Sequence, residues 1–301
     1  MISAPGKLVL SGEYAVLEGH AGLAMAVGRR VILSPSEHLS YSRLWEAVSQ
    51  NACEPRFKIT SRSLYEGMHK LGLGSSAAAA VCMAAFMPSV GDVYSVALTG
   101  HRRFSGGLGS GIDVAASYYG GLIRFQNGQA TQLNAHFDSR ALLCVFTQKS
   151  QSTRAFLMSV LKYKSEESKD FSRLMDDIGA LTPRWEAVFT QGYDPKSLED
   201  LLADNLRLLK KLSDKAKITL FTPEQEKIAQ VCSDYQAVSK PSGAGGGDIT
   251  LCFVPPENRE DLSRTLSQLG FLPLDLDYFA AGLLRQPEIS ATEIISCSQN
   301  N

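Results

Sequence analysis

Lys70-Leu71-Gly72-Leu73-Gly74-Ser75-Ser76-Ala77-Ala78-Ala79-Ala80 decides the reading of this chain. The Gly72-Leu73-Gly74 step lets the backbone take positive φ and bring bare N–H groups against a ligand. Ser75 and Ser76 then open an alanine-rich helix predicted over Ser75–Phe86, whose first turn holds unpaired donors suited to an anion. Phosphate is the obvious anion, and the two hydroxyls can reach either a phosphate or a bound Mg²⁺. The alanines beyond allow the helix to pack closely and to be largely buried. Helix capping is the competing reading of each serine.

Glycine is concentrated elsewhere too. Gly72–Gly74, Gly106–Gly111 and Gly243–Gly247 hold ten of the chain's 25 glycines, where an average composition would put about one in so short a total length. Tight turns alone would explain any single cluster; three of them point to backbone wrapped around a charged ligand. Outward from the first loop, strands are predicted at Lys7–Leu10 and Leu23–Leu33, and a helix over 61–70. Helices follow over Val93–Phe104 and Ile112–Tyr119, the latter stopped by Gly120-Gly121, then strands at Leu122–Phe125 and Ala141–Thr147. From Ser152 to Leu212 the chain is polar and reads as long helices. A helix from Pro223 to about Tyr235, a strand over Ile249–Val254, a helix near Glu257–Leu269 and a strand near Phe271–Leu276 complete it. The change of character places a soft domain boundary near residue 150, giving units 1–150 and 151–301.

The 301 residues are 44% apolar and 20% charged, enough for a sizeable core. Thirty Lys and Arg against 31 Asp and Glu give a net charge of −1, which argues against a general nucleic-acid binder or a polybasic membrane-surface protein. No apolar run approaches a membrane span, and Met1–Lys7 does not begin a leader pattern, so the reading is cytoplasmic. The six cysteines, Cys53, Cys82, Cys144, Cys232, Cys252 and Cys297, follow no C-x-x-C spacing and read as buried thiols. The five histidines are far apart, and H-E-x-x-H, G-x-S-x-G and G-x-x-x-x-G-K-[ST] are all absent from the sequence.

Three segments together resemble the three motifs of the GHMP kinase superfamily, in the same order. They are Ala4-Pro5-Gly6-Lys7-Leu8-Val9-Leu10-Ser11-Gly12-Glu13-Tyr14-Ala15-Val16-Leu17, Gly72-Leu73-Gly74-Ser75-Ser76-Ala77-Ala78 and Lys240-Pro241-Ser242-Gly243-Ala244-Gly245-Gly246-Gly247-Asp248. The resemblance covers nearly the whole chain. Lys70, the stretch Gly109–Ala116, Ser152-Thr153-Arg154 and the Gly-Gly-Gly-Asp ending are most similar to the phosphomevalonate kinase branch. One departure is Ser105-Gly106-Gly107, where many of that branch carry Gln-Gly-Lys. The resemblance implies an α+β fold, with an N-terminal domain like domain 2 of ribosomal protein S5 and a C-terminal ferredoxin-like domain. It also implies ATP with Mg²⁺ as cofactors, phosphomevalonate as the small-molecule partner, and a monomer or homodimer.

Asp113 stands in a glycine-flanked turn entering a helix, where a carboxylate can take or orient the proton of an acceptor oxygen; helix capping is its bland alternative. The resemblance gives it the catalytic role, beside Lys7 as the cation next to it and the acceptor. For ATP it points to Lys70, Gly72, Leu73, Gly74, Ser75, Ser76 and Ala77, with Ser76 also a candidate for Mg²⁺. For the acceptor it points to Lys7, Ser110, Gly111, Asp113, Arg154, Ser242, Gly243, Ala244 and Gly245. Lys70, Arg103 and Arg154 are the cations that could meet a substrate phosphate, or be solvated surface charges. Glu13 is open between a Mg²⁺ carboxylate and a structural hydrogen bond. Mevalonate or another small-molecule acceptor remains an alternative, as does a catalytically silent ligand sensor on a kinase fold.

Overall fold

The computed structural model describes residues 1–50, 53–88, 91–149 and 153–286. It opens with β1 (Ile2–Ser11), which leads through a 3-10 turn at Ala15–Glu18 into the long β2 (Gly22–Leu39), its antiparallel partner. Beyond β2 come α1 (Arg43–Ser49) and β3 (Arg56–Thr60), which pairs back onto β2. The helix predicted over 61–70 is not there. A 3-10 turn at Arg62–Leu64 is followed by the hairpin β4 (Tyr65–Glu66) and β5 (His69–Lys70). Gly67 turns it at φ +55°, and Leu71 N donates to Leu64 O at 3.1 Å. Those two buried leucines anchor the ends of the segment and leave a short hairpin in solvent, with Met68 exposed at its tip.

Three helices then cover the sheet at the predicted positions: α2 (Ser75–Phe86), α3 (Val93–Phe104) and α4 (Ile112–Tyr119). α2 is buried on almost every side because alanine lets neighbouring backbone approach. Asp92 caps α3 by accepting from Tyr94 N and Ser95 N. β6 (Leu122–Gln126) and β7 (Gln129–Leu133) close this sheet, whose order is β12-β1-β2-β6-β7 with β3 beside β2. The closing strand β12 (Leu284–Arg285) returns from the far end of the chain to lie against β1.

The second sheet starts with β8 (Leu142–Phe146). Four helices follow, α5 (Thr153–Glu166), α6 (Ser168–Gly179), α7 (Thr182–Thr190) and α8 (Pro195–Ala216), and then α9 (Pro223–Asp234), which starts with a Thr222–Gln225 capping box. The chain returns through β9 (Val238–Pro241) and β10 (Ile249–Phe253), crosses in α10 (Arg259–Gln268) and ends the sheet with β11 (Leu272–Leu274). The antiparallel order β11-β8-β10-β9, with α9 and α10 as its crossovers, is the arrangement of a ferredoxin-like sheet. β10 shows why both faces are covered. Ile249, Leu251 and Phe253 join the main core, while Cys252 joins a smaller cluster with Ile228 of α9 and Leu262 of α10.

Cys82, Cys144, Cys232 and Cys252 are buried thiols and Cys53 is half-buried; Cys297 lies outside the described residues. Burial pushes the Cys82 and Cys144 thiols up to about 12. Among the described residues no helix is long and apolar enough to cross a membrane.

Candidate active site between three glycine loops

Hydrogen bonds from β1 hold the first glycine loop. Lys7 N donates to Leu73 O at 2.9 Å, and the Lys7 ammonium donates to Gly72 O at 3.1 Å. Gly74 caps α2 in the left-handed region at φ +79°, and a Cβ there would lie 3.1 Å from Lys7 Cγ and Cε. The missing side chain is therefore what lets the lysine stem lie over the loop. Gly72, at φ +73°, is tighter still, because its Cβ would fall 2.6 Å from Cβ of Asp248. The loop is thus enclosed between Lys7 of the first motif and Asp248 of the third. The first bond of α2 is Ala78 N to Gly74 O at 3.1 Å, so the amides of Ser75, Ser76 and Ala77 sit at the helix start where an anion is favoured. Ser75 is buried, and Ser76 Oγ lies 3.1 Å from Nε2 of the buried His101 of α3. No feature of the sequence singled out His101, because its role appears only once α2 and α3 are packed.

Asp113 enters from a second helix start. Gly111 caps α4 at φ +95°, and a Cβ there would fall 2.1 Å from Leu98 Cδ1, so only glycine lets α4 approach α3 this closely. Asp113 is half-buried, and its Oδ1 accepts from Val114 N at 2.9 Å. Its charge reaches Lys7. Burial lowers the Lys7 pKa, the carboxylates of Asp113 and Asp248 oppose that shift, and the neighbouring Lys70 adds to it. Ser110 is locked from both ends: its carbonyl accepts from Arg102 Nη2 at 2.8 Å and its hydroxyl accepts from Ile112 N at 3.3 Å.

The candidate cations separate. Lys70 is exposed on β5 and acts on Lys7, whereas Arg103 turns away and donates to Ala47 O of α1 at 3.4 Å. Arg154 stands exposed at the start of α5, with Nη1 3.7 Å from where a Cβ of Gly106 would be. It faces the second glycine loop. Ser152 of the same segment lies outside the described residues.

The third loop is fastened to β1 and to the helices behind it. Ser242 Oγ accepts from Val9 N and donates to Val9 O, each at 3.1 Å. The Tyr14 hydroxyl donates to Ala244 O at 2.7 Å, and Gly246 N donates to Leu220 O at 2.8 Å. Gly243 packs over Val9, and a Cβ on Gly245 would fall 2.8 Å from Leu220 O. Beneath the loop, Lys240 is buried; its ammonium donates to Leu10 O at 2.9 Å and pairs with a carboxylate oxygen of the equally buried Glu13. It also lies 5.3 Å from the Trp185 ring centroid. Glu13 is therefore a structural partner of Lys240. In the sequence Glu13 stands just beyond β1 and Lys240 within β9, and neither names the other.

Lys7 thus stands within reach of Asp113, Asp248 and Lys70 and against the Gly72–Gly74 loop, with Asp248 of the third loop packed on Gly72 and Arg154 beside Gly106 of the second. Residues 41–121 match the model of the GHMP kinases N terminal domain. Mevalonate kinase of Bos taurus is 23% identical over 90% of this chain and 91% of its own length. Phosphomevalonate kinase of Saccharolobus solfataricus is 23% identical over 91% of this chain and 96% of its own. Among solved structures, Streptococcus pneumoniae phosphomevalonate kinase in complex with phosphomevalonate and AMPPNP superposes with a TM-score of 0.73 at 18% identity, covering 92% of this chain and 99% of that one. The α+β architecture is that of the GHMP kinases.

Proposed function

From this GHMP kinase fold we propose that the protein transfers the γ-phosphoryl group of ATP to (R)-5-phosphomevalonate, giving 5-diphosphomevalonate and ADP. The observation that carries the acceptor is Arg154, an exposed guanidinium set against the Gly106 backbone of the same glycine loop that leads through Ser110 to Asp113. An acceptor that already bears a phosphate brings negative charge to a reaction that spreads more of it over the transferring group, so a second cation beside Lys7 is what the chemistry requires. The relative from Saccharolobus solfataricus supports the same acceptor.

In the proposed reaction the amides of Ser75–Ala77 and the Gly72–Gly74 backbone hold the β- and γ-phosphates. Asp113 takes the acceptor's remaining proton or holds its oxygen in line, and that oxygen bonds to the γ-phosphorus as the bond to the β-phosphate oxygen breaks. Lys7 compensates the charge, with Ser110, Gly111 and Ser242–Gly245 positioning the acceptor. Mg²⁺ fits the donors present: a hydroxyl has two lone pairs, so Ser76 Oγ can accept from His101 and still offer an oxygen to the ion. When bound, the ion would neutralise charge shared between the phosphates. Among the described residues no three His, Cys, Asp or Glu side chains group as a metal site, so nucleotide oxygens complete the coordination in this proposal. We place the domain division near residue 150, with β8 and β12 as exchanged strands that tie the two units together.

Mevalonate is the second reading, favoured by the cattle relative and by Gly107 standing where a lysine is common. ADP release with ATP and Mg²⁺ should be compared across phosphomevalonate, mevalonate, galactose and homoserine. Turnover selective for phosphomevalonate, lost in Asp113→Asn while AMPPNP binding persists, is the expected result. Selective turnover of mevalonate would overturn the acceptor, and full activity of Asp113→Asn would overturn the mechanism.

A further inference from the structure

Behind the third glycine loop, away from the cleft, lies a cavity of about 270 Å³ between α8, α9 and the sheet edge β9. Leu206, Phe221, Ala229 and Pro241 make its walls apolar, and Thr250 of β10 is among its lining residues. Thr250 is 1% exposed and its hydroxyl has no hydrogen-bond partner among the described residues, an expense a buried hydroxyl avoids in a filled core. The outer end is basic. Arg207 and Lys210 line both this cavity and an adjoining surface hollow of about 450 Å³ that also carries Lys211, Asp214 and Lys215. Lys211 and Lys215 are held by Asp170 and Glu167, and among the described residues Arg207 pairs only with Asp204, at 3.6 Å. Lys210 forms no ion pair among the described residues, and Glu226 is the one carboxylate lining the cavity itself.

We propose that this cavity is an effector site for a small amphipathic anion: an apolar body, a hydrogen-bonding atom at its buried end for Thr250, and an anionic group at its mouth for Lys210 and Arg207. The wall leads directly to the catalytic cleft. Gln225 lines the cavity and donates Nε2 to Gly247 O at 3.3 Å. Lys240 and Pro241 line it as well and run straight into Ser242–Asp248, whose Asp248 packs against Gly72. A ligand that moves this wall therefore acts on the loop that closes over the phosphates.

The test titrates the full chain with 8-hydroxyoctanoate, octanoate and 1,8-octanediol, reading amide chemical shifts at Ala229 and Thr250 by NMR, and then measures AMPPNP affinity at saturation. Saturable binding of 8-hydroxyoctanoate is expected, at least about tenfold weaker for the uncharged diol and in Lys210→Glu, since a charge-assisted hydrogen bond is worth about that much. Thr250→Val should erase the preference for 8-hydroxyoctanoate over octanoate, and Ala229→Trp should fill the cavity and abolish binding. AMPPNP affinity should change about fivefold or more. Absence of saturable binding overturns the proposal, as does binding indifferent to both Lys210→Glu and Ala229→Trp. Binding with unchanged AMPPNP affinity overturns the effector role. Should AMPPNP not bind at all, the kinase reading fails, and the shifts at Ala229 and Thr250 still decide the cavity.

Discussion

Replacing Lys240 by methionine should destabilise the protein by about 3–5 kcal/mol, because it leaves the Glu13 carboxylate buried without its counter-ion. The structure shows three losses at once. The ammonium no longer meets Glu13, the Leu10 carbonyl loses the donor at 2.9 Å, and the face of Trp185 loses a cation 5.3 Å from its centroid. An orphaned carbonyl alone costs about 1–3 kcal/mol and the cation–π contact about 1–2, so the carboxylate need not carry the whole loss. Both side chains are 0% exposed, so neither solvent nor salt relieves the unpaired charge. In urea denaturation of Lys240→Met, Glu13→Gln and the double variant, each single change should cost several kcal/mol. The double variant should cost at least about 2 kcal/mol less than the sum, since a glutamine amide and a methionine thioether bury no charge between them. Addition of the two single costs within about 0.5 kcal/mol would refute the pairing, and a Lys240→Met cost below about 1 kcal/mol would show that the site reaches water.

The remaining expectations bear on the cleft. Arg154→Ala should raise KM for phosphomevalonate about tenfold or more while AMPPNP affinity holds; an unchanged KM would remove Arg154 from the acceptor site. Lys7 acts as a cation whose pKa burial has lowered from 10.5, so kcat/KM should be intact below that lowered value and fall as pH rises through it. The limb should disappear in Lys7→Arg, whose guanidinium stays charged; the same limb in both proteins would assign it to another group. Gly72→Ala meets both a φ of +73° and Asp248 Cβ at 2.6 Å, whereas Gly67→Ala at φ +55° meets nothing within 4 Å. Thermal unfolding should therefore show roughly 1–2 kcal/mol of strain for Gly67→Ala and clearly more for Gly72→Ala, with AMPPNP binding lost only in the latter. Equal costs would mean that Asp248 yields freely.

The helices α2, α3 and α4 stand where the sequence predicts them because their signals are local, and the structure shows Gly74, Asp92 and Gly111 starting them and Gly120 ending the last. Elements defined by a distant partner were invisible. β9 exists because β10 lies beside it, and β12 because β1 offers a free edge on the other side of the molecule. The hairpin at Tyr65–Lys70 is hidden in the sequence because its strands are two residues each, too short for either a 3.6 or a 2.0 period to show.

The site divides in the same way, and the division says what kind of information a motif carries. Glycines at 72, 74 and 111 were legible because each removes a Cβ that a specific neighbour would meet, and such positions cluster where backbone must approach a ligand. Side chains that hold the cleft together were not legible. His101 reaches Ser76 only because α3 crosses α2, and Glu13 reaches Lys240 across 227 residues of sequence. The Lys240 ammonium, bonded to both Leu10 O of β1 and Glu13 just beyond it, fastens the first motif to the strand leading into the third loop, so two motifs that look independent in sequence are mechanically one. A variant that weakens the pair should accordingly loosen the cleft as well as the fold: Lys240→Met, at a temperature where it remains folded, should bind AMPPNP more weakly than the wild type. Unimpaired binding would mean that the Ser242–Val9 hydrogen bonds at 3.1 Å suffice to hold the third loop in register.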